Sequence, residues 1–386
     1  MKRYFLLAGL VAACAVILGL GPIPVREPVG VGILYPPNAA PLRAAVEQYM
    51  TEADIPELPA PVVAVISPHA SFPASGAISA AGFKSLKKGQ YSRVVIIAPA
   101  MASKFRGGSI PDVQYFRTPL GDVPLDGPAI RRLTMSSVIE LRAVVYRADA
   151  YLDPDVRRVP LHEKETAIEL MLPFLQVQLG KFKLVPIVFG DFPAVRGGGI
   201  DEKLLAAAAR AIRPILDENT LLVVCSDLTR YGVVHNFTPF NEDILKHIGE
   251  LDIEAINAIQ SMDYRTFMDY LERTKNPISG AMPIAVMLQL LPKSARGILM
   301  GYDVSGRMTG NLKASVSFAS IDFIDIERPP FEAPASEVTP AAEESTSGPS
   351  QADEAKKDTQ PAENPASTVK EAEDAPDETQ KRNVPN

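Results

Sequence analysis

Residues 61–70 read PVVAVISPHA, a short stretch that contains a strand-like run and the residues that follow it. Residues 62–67 are almost entirely apolar and lack the in/out alternation of a half-exposed strand. Such runs are typical of strands that are covered by helices on both faces. The run leads through a proline directly to His69. The stretch therefore predicts a buried strand whose carboxyl end presents a histidine.

Similar apolar runs recur and alternate with longer amphipathic segments. The other predicted strands are residues 93–98, 183–189, 221–225, 298–302 and 314–323. The predicted helices are residues 76–87, 128–135, 163–179, 201–216, 239–260, 264–273 and 281–291. This alternation predicts one α/β domain over residues 27–328, with three αβα layers and a largely parallel or mixed central sheet.

In open α/β sheets, ligands bind beyond the carboxyl ends of the strands. Three predicted strands lead into His69, Met101 and Asp227, so we expect these side chains to share a cleft. Glu165 and Glu169 lie four residues apart on a predicted helix and hence on one face. That face either contributes to the cleft or is solvated.

The amino-terminal residues predict a membrane segment. Lys2 and Arg3 precede 21 uncharged residues, 4–24, and a helix of this length spans a bilayer core of about 30 Å. We expect residues 1–26 to be an anchor or export signal. The body would then lie outside the cytoplasm, on the periplasmic side of a bacterial inner membrane. A lipoprotein signal ending at Cys14, and a cleaved signal that releases a secreted body, remain open alternatives.

The carboxyl-terminal residues 329–386 predict a disordered acidic tail. They contain nine prolines, 13 acidic and five basic residues, a balance of −8. Since the whole chain carries −7, the remainder sums to +1. With a near-neutral body, nothing indicates a nucleic-acid groove, and we expect no nucleic-acid partner. The two cysteines, Cys14 and Cys225, lie in separate apolar runs, so a disulfide framework is excluded as well.

The order of several short motifs resembles the Memo-like family, the protein B component of the AmmeMemoRadiSam system. The matching segments are 32–36 (GILYP), 67–70 (SPHA), 118–121 (TPLG), 165–169 (ETAIE), 172–176 (LPFLQ), 225–228 (CSDL) and 301–302 (GY). The resemblance implies a fold similar to class III extradiol dioxygenases, with a non-haem metal pocket.

The chain departs from the family pattern at the residues of that pocket. Met101 and Arg230 stand where the family has histidines, Ser279 stands where it has a cysteine, and Glu165 is followed by threonine rather than histidine. A facial Fe(II) site needs about two imidazoles and a carboxylate, and only His69 and Asp227 remain at matched positions. We therefore expect no tight cofactor, and at most a weakly bound Fe, Cu or Zn ion.

Two functions from different classes follow from these expectations. The first is a membrane-tethered, non-catalytic Memo-like domain that binds a small ligand or a protein partner near Arg230. The second is an active metal-dependent oxidoreductase that completes its ligand set with His162, His235 or Glu165. A Ser-His-Asp hydrolase built on Ser226 is a weaker third reading, because no Gly-x-Ser-x-Gly elbow occurs.

Overall fold

The computed structural model describes residues 23–102, 104–141, 144–146, 158–192 and 199–331. The predicted membrane segment at 4–24 and the predicted tail at 329–386 fall almost entirely outside these ranges. Within the ranges, no helix combines the length and the apolar character that crossing a membrane requires. The transmembrane helix therefore stays a prediction from the sequence.

Strands account for the following segments of the described chain: β1 (Val25–Arg26), β2 (Val62–Ser67), β3 (Arg93–Pro99), β4 (Gly108–Ile110), β5 (Tyr115–Thr118), β6 (Gly121–Pro124), β7 (Ile139–Leu141), β8 (Val144–Tyr146), β9 (Arg158–Pro160), β10 (Lys183–Phe189), β11 (Thr220–Cys225), β12 (Arg230–Gly232), β13 (Ala295–Val304) and β14 (Ala314–Asp325).

Helices account for these segments: α1 (Ala39–Glu52), α2 (Phe72–Phe83), α3 (Gly127–Leu133), α4 (Ala167–Leu179), α5 (Glu202–Ile212), α6 (Ile244–Gln260), α7 (Tyr264–Thr274), α8 (Ala281–Leu288) and α9 (Ser305–Thr309). Short 3₁₀ turns occupy Leu161–Glu163, Arg213–Ile215 and Val233–His235.

Four parallel strands form the centre of the main sheet, in the order β2-β11-β3-β10. Beyond β2, the antiparallel strand β14 also pairs with β12 and β13. Beyond β10, β4 runs antiparallel to β10 and parallel to β7. A small second sheet has the order β1-β5-β6, and β8 pairs with β9. The predicted mixed α/β domain with a central sheet is thus confirmed.

Helices cover both faces of this sheet. Val65, Ile96 and Val223 belong to the apolar cluster that contains residues of α1, α2 and α4. Their neighbours Ile66, Ile97 and Val224 belong to the cluster that contains residues of α5, α6, α7 and α8. Successive strand residues point to opposite faces, so nearly every position of these strands is buried, with Val63 and Arg93 as the half-buried exceptions. This double burial explains why the sequence shows unbroken apolar runs.

The helix predicted at residues 163–179 begins later than expected. α4 starts at Ala167, so Glu165 precedes the helix and does not share a helical face with Glu169. The carboxylate of Glu165 accepts the backbone N–H groups of Met101 and Ala102, at 2.8 and 2.9 Å. Glu165 thus contacts the segment after β3 from the irregular stretch between the 3₁₀ turn Leu161–Glu163 and α4.

The sequence analysis missed α1 altogether. Only Leu42, Val46 and Met50 of this helix are buried. They are spaced four residues apart and form a narrow apolar stripe on a segment that otherwise consists largely of alanine and polar residues. Three apolar residues at this spacing are a weak helical signal when only the sequence is known, because the sequence does not show which helices cover them.

Candidate functional site

The ends of β2 and β11 place His69 and Asp227 side by side. Cys225, the last residue of β11, pairs with Ser67, the last residue of β2. His69 and Asp227 therefore each lie two residues after the paired residues Ser67 and Cys225. β3, on the other side of β11, ends at Pro99 and leads to Met101. The parallel arrangement brings the three strand ends to one edge of the sheet.

His69, Asp227 and Ser279 are in direct contact at this edge, which we call the strand-exit cleft. The backbone N–H of His69 donates to Asp227 Oδ1 at 3.1 Å, and His69 Nε2 lies 3.7 Å from Asp227 Oδ2. Ser279 Oγ accepts the backbone N–H of Asp227 at 3.0 Å and lies 3.0 Å from His69 Nε2. The serine hydroxyl thus links the two strand ends.

Gly280 allows the loop that carries Ser279 to approach β11. A Cβ atom at Gly280 would overlap Ser226 Cβ and the Cys225 carbonyl oxygen. The Gly280 N–H donates to Ser226 Oγ at 3.1 Å, and that hydroxyl donates to the Asp227 carbonyl at 2.8 Å. Because Ser226 is fully buried in these contacts, it does not present a nucleophile to the cleft.

The contacts also differ from those of a nucleophilic triad. In a Ser-His-Asp triad the serine and the acid bind different nitrogens of the imidazole. Here Ser279 Oγ and Asp227 Oδ2 both face His69 Nε2. The geometry therefore gives no support to a hydrolase.

A buried polar network behind the cleft was missed by the sequence analysis. Asp252 of α6 accepts the Thr229 N–H at 3.1 Å, the Thr229 hydroxyl at 2.6 Å and the Tyr302 hydroxyl at 2.7 Å. Asn276 Nδ2 donates to Thr229 Oγ1 at 2.7 Å. Burial raises the pKa of Asp252, against the lowering effect of these hydrogen bonds. The network ties the loop after β11 to the loop before Ser279.

Glu165 and Met101 lie together at the end of β3. Both carboxylate oxygens of Glu165 are occupied by backbone N–H groups, and burial raises the pKa of this carboxyl despite those bonds. The Met101 side chain is 43% exposed. Glu165 thus fixes the backbone at Met101, while the thioether faces solvent at least in part.

Arg230 has no counter-charge at Asp227. Among the described residues, Asp227 Oδ2 lies 3.7 Å from His69 Nε2 and forms no salt bridge with Arg230. In the same part of the chain, the buried Nε of Arg230 has no hydrogen-bond partner. Burial lowers the pKa of His235, and the charge of Arg230 lowers it further, whereas Asp227 raises it. His235 is therefore near both charged groups and neutral at pH 7.

Glu169 contacts the amino-terminal segment of the domain rather than the residues of the strand-exit cleft. It is fully buried and pairs with Arg26. It also accepts the N–H groups of Val29 and Gly30, at 2.9 and 2.8 Å, and the Tyr35 hydroxyl at 2.6 Å. We call these contacts the Glu169 clamp. The solvated helix face that we considered for Glu169 is wrong.

His162 contacts the same amino-terminal region. Its Nε2 lies 3.1 Å from the Ser109 carbonyl, its ring packs edge-on against Phe116, and its own carbonyl accepts Arg26 Nε. Burial, with a smaller effect of Arg26, lowers the pKa of His162 to about 3. These contacts hold a neutral imidazole, and none of them is with a residue of the strand-exit cleft.

A comparison with protein families agrees with the resemblance in the motifs. The family model described as Memo-like protein matches residues 26–322, most of the chain. The chain belongs to the Memo-like family. A fold similar to that of class III extradiol dioxygenases is consistent with the Memo-like family in general.

Relatives within the Memo-like family come from distant organisms. A protein named "MEMO1 family protein" from Thermotoga neapolitana is 29% identical over 306 residues, which cover 77% of this chain and 98% of the relative. "Protein memo-1 homolog" of Caenorhabditis elegans is 28% identical over 273 residues, 67% of this chain and 71% of the relative. "Protein MEMO1" of Danio rerio is 25% identical over 306 residues, 76% and 96% of the two chains.

The donor atoms of the cleft do not fit the metal site that the Memo-like resemblance implies. Fe(II) prefers two imidazoles and a carboxylate in facial geometry, whereas the cleft offers one imidazole, one carboxylate and a hydroxyl. One oxygen of Asp227 and the Nε2 atom of His69 are already in contact with protein atoms. Among the described residues, no group of three or more His, Cys, Asp or Glu side chains could hold a metal ion.

Proposed function

We propose that this Memo-like protein is a non-catalytic, membrane-tethered binding protein whose strand-exit cleft takes a small anionic ligand. The observation that carries the proposal is the arginine at position 230. Its Nε is buried without a hydrogen-bond partner within the described residues. A guanidinium offers a planar fork of donors that matches carboxylate and phosphate groups. An anion would supply the partner that the described part of the chain does not.

The residues of the strand-exit cleft are arranged for hydrogen bonding. His69, Asp227 and Ser279 hydrogen-bond to one another, which holds the ends of the two strands in a fixed arrangement. The imidazole of His235, whose pKa burial lowers, adds an uncharged donor or acceptor near Arg230.

Anion binding is tested with the purified full chain, inorganic phosphate and short carboxylates, by calorimetry and thermal shift. Arg230→Gln should weaken binding by roughly 30-fold, since a charged hydrogen bond is worth about 2 kcal/mol. Arg210→Gln, at an exposed position of α5, is the matched control and should bind as the wild type does. Equal anion affinity in the Arg230→Gln variant would contradict the proposed ligand class.

Metal content separates this proposal from the oxidoreductase alternative. Elemental analysis of the full chain, purified without chelators, should find Fe, Cu and Zn well below one equivalent. Iron near one equivalent, lost in a His69→Ala variant, would instead support an active site with a rearranged ligand set.

The proposed location rests on the apolar residues 4–24 behind Lys2 and Arg3. Positive residues remain on the cytoplasmic side of such a segment, which puts the body on the periplasmic side of a bacterial inner membrane. A reporter that is active only in the cytoplasm, fused after Ile326, should be inactive. An active fusion would refute the proposed orientation.

A further inference from the structure

We infer that the surface formed by Ile23, Val29 and Ile33 rests on the lipid bilayer and holds the body against the membrane. We call this surface the amino-terminal face. The inference rests on the membrane anchor of the proposed function, and it goes further in assigning the face of the domain that contacts lipid.

The first argument is the absence of a spacer. The apolar run ends at Pro24, and Val25 is already paired with Tyr115 in the β1–β5 ladder. The Pro24 carbonyl accepts the Gln114 N–H at 2.8 Å. Since one extended residue spans at most about 3.6 Å, a domain that begins here cannot stand away from an anchor that ends here.

The second argument is rigidity. Arg26, Val29, Gly30 and Tyr35 all contact the single carboxylate of Glu169. The segment from Arg26 to Tyr35 is therefore folded around one buried point of α4. Because it is part of the body and not a flexible arm, its orientation fixes the orientation of the whole domain.

The third argument is the chemistry of the side chains on this segment. Ile23, Val29 and Ile33 are 58%, 40% and 82% exposed. Single exposed apolar residues are ordinary, but these three lie within residues 23–33, at the end of the predicted membrane segment and directly after it. The acidic neighbour Glu27 is paired with Arg117 at 2.7 Å, so its charge is compensated. Apolar side chains of this kind enter the boundary between lipid headgroups and acyl chains.

The chain has no tryptophan, which makes single-tryptophan reporters possible. Ile33→Trp and, as an independent second reporter, Val29→Trp are placed in the full-length chain. Ile253→Trp is the matched control, because Ile253 is 61% exposed on α6 in the opposite helix layer. Each variant is reconstituted into phosphatidylcholine vesicles, with lipid that is brominated near the glycerol end of its acyl chains or with unbrominated lipid.

Bromolipid should quench both amino-terminal reporters severalfold more than the Ile253→Trp control. If the protein floats with the vesicles but all three reporters are quenched equally or not at all, the amino-terminal face does not contact lipid and only the anchor survives. If the full chain fails to float with the vesicles, the proposed anchor is wrong and this inference fails with it. Thermal melts of the variants should match the wild type, since all three positions are exposed.

Discussion

The Glu169 clamp allows a quantitative prediction about stability. Glu169 is fully buried and accepts four hydrogen bonds, from Arg26, Val29, Gly30 and Tyr35. Glu169→Ala would leave the Arg26 guanidinium buried, with only two backbone carbonyls as acceptors. Three further donors would lose their partner. The substitution thus removes one side of a buried ion pair and empties its acceptor positions.

The expected loss follows from these contacts. Breaking a buried ion pair by removing one partner costs roughly 3–5 kcal/mol. Each of the two orphaned backbone N–H groups and the orphaned Tyr35 hydroxyl adds about 1 kcal/mol. We therefore expect the free energy of unfolding to fall by roughly 6–8 kcal/mol, which is a large part of the ~5–15 kcal/mol available to a typical domain.

Urea unfolding of the full chain in detergent, followed by far-ultraviolet circular dichroism, measures this change. Tyr35→Phe removes one donor from the clamp and should cost only about 1 kcal/mol. Glu163→Ala, at an exposed position just before α4, should change stability by less than about 0.5 kcal/mol. The double variant Arg26→Leu/Glu169→Leu should lose far less stability than the summed losses of the single variants Arg26→Leu and Glu169→Leu, because it leaves no unpaired charge.

The reasoning fails if the free energy of unfolding of the Glu169→Ala variant lies within about 1 kcal/mol of the wild-type value, because burying an arginine without its carboxylate costs more than that. It also fails if the two single changes of the double variant add. Additivity would mean that Arg26 and Glu169 do not interact, in contradiction to their contact in the structure.

Three further predictions concern other sites. Met101→His combined with Ser279→Cys should raise Zn(II) or Cu affinity in calorimetry, and His69→Ala should abolish the gain, since the three positions supply two imidazoles and a thiolate. Gly280→Ala should lower stability in urea melts by roughly 1–3 kcal/mol or more, because its Cβ has no space. Burial raises the pKa of Asp322 well above the usual range. The folded state therefore keeps a proton that the unfolded chain releases above about pH 4, so the free energy of unfolding falls as the pH rises from there. Asp322→Asn should remove that decline in melts recorded at different pH values.

Much of the fold follows from local signals in the sequence. The runs at 62–67, 93–98 and 221–225 are strands in the structure, within one residue at their ends. They were recognisable because double burial makes every residue of a central parallel strand apolar. The strand-exit rule then placed His69 and Asp227 at one edge, where the structure has them in contact. Their role in ligand binding stays a prediction.

The charged residues of the interior could not be predicted in the same way. Glu169 has charged and polar partners at Arg26 and Tyr35, which are more than 130 residues away in the sequence. Without these partners, a glutamate on a helix is most simply explained as solvated. Asp252 gave a local hint, because it lies four residues from the buried Ile248 and Ile256 on α6. A polar residue in the middle of an apolar stripe predicts a buried partner, although not which one.

Two polar clusters hold different parts of the domain, and their positions bear on function. One is the Glu169 clamp, and the other is the Asp252 network, the hydrogen bonds among Asp252, Thr229, Asn276 and Tyr302. The Glu169 clamp fixes the segment that follows the predicted anchor, and the Asp252 network fixes the two loops that carry Asp227 and Ser279. The carboxylates at the centre of both clusters, Glu169 and Asp252, are fully buried, so neither cluster can rearrange without exposing or orphaning charged and polar groups. In the function proposed above, a ligand that enters near Arg230 would meet a preformed cleft on a body that the proposed anchor holds in one orientation. Such a design favours presentation of a bound anion at a constant distance from the membrane, and it disfavours a mechanism that needs the domain to swing or the cleft to close.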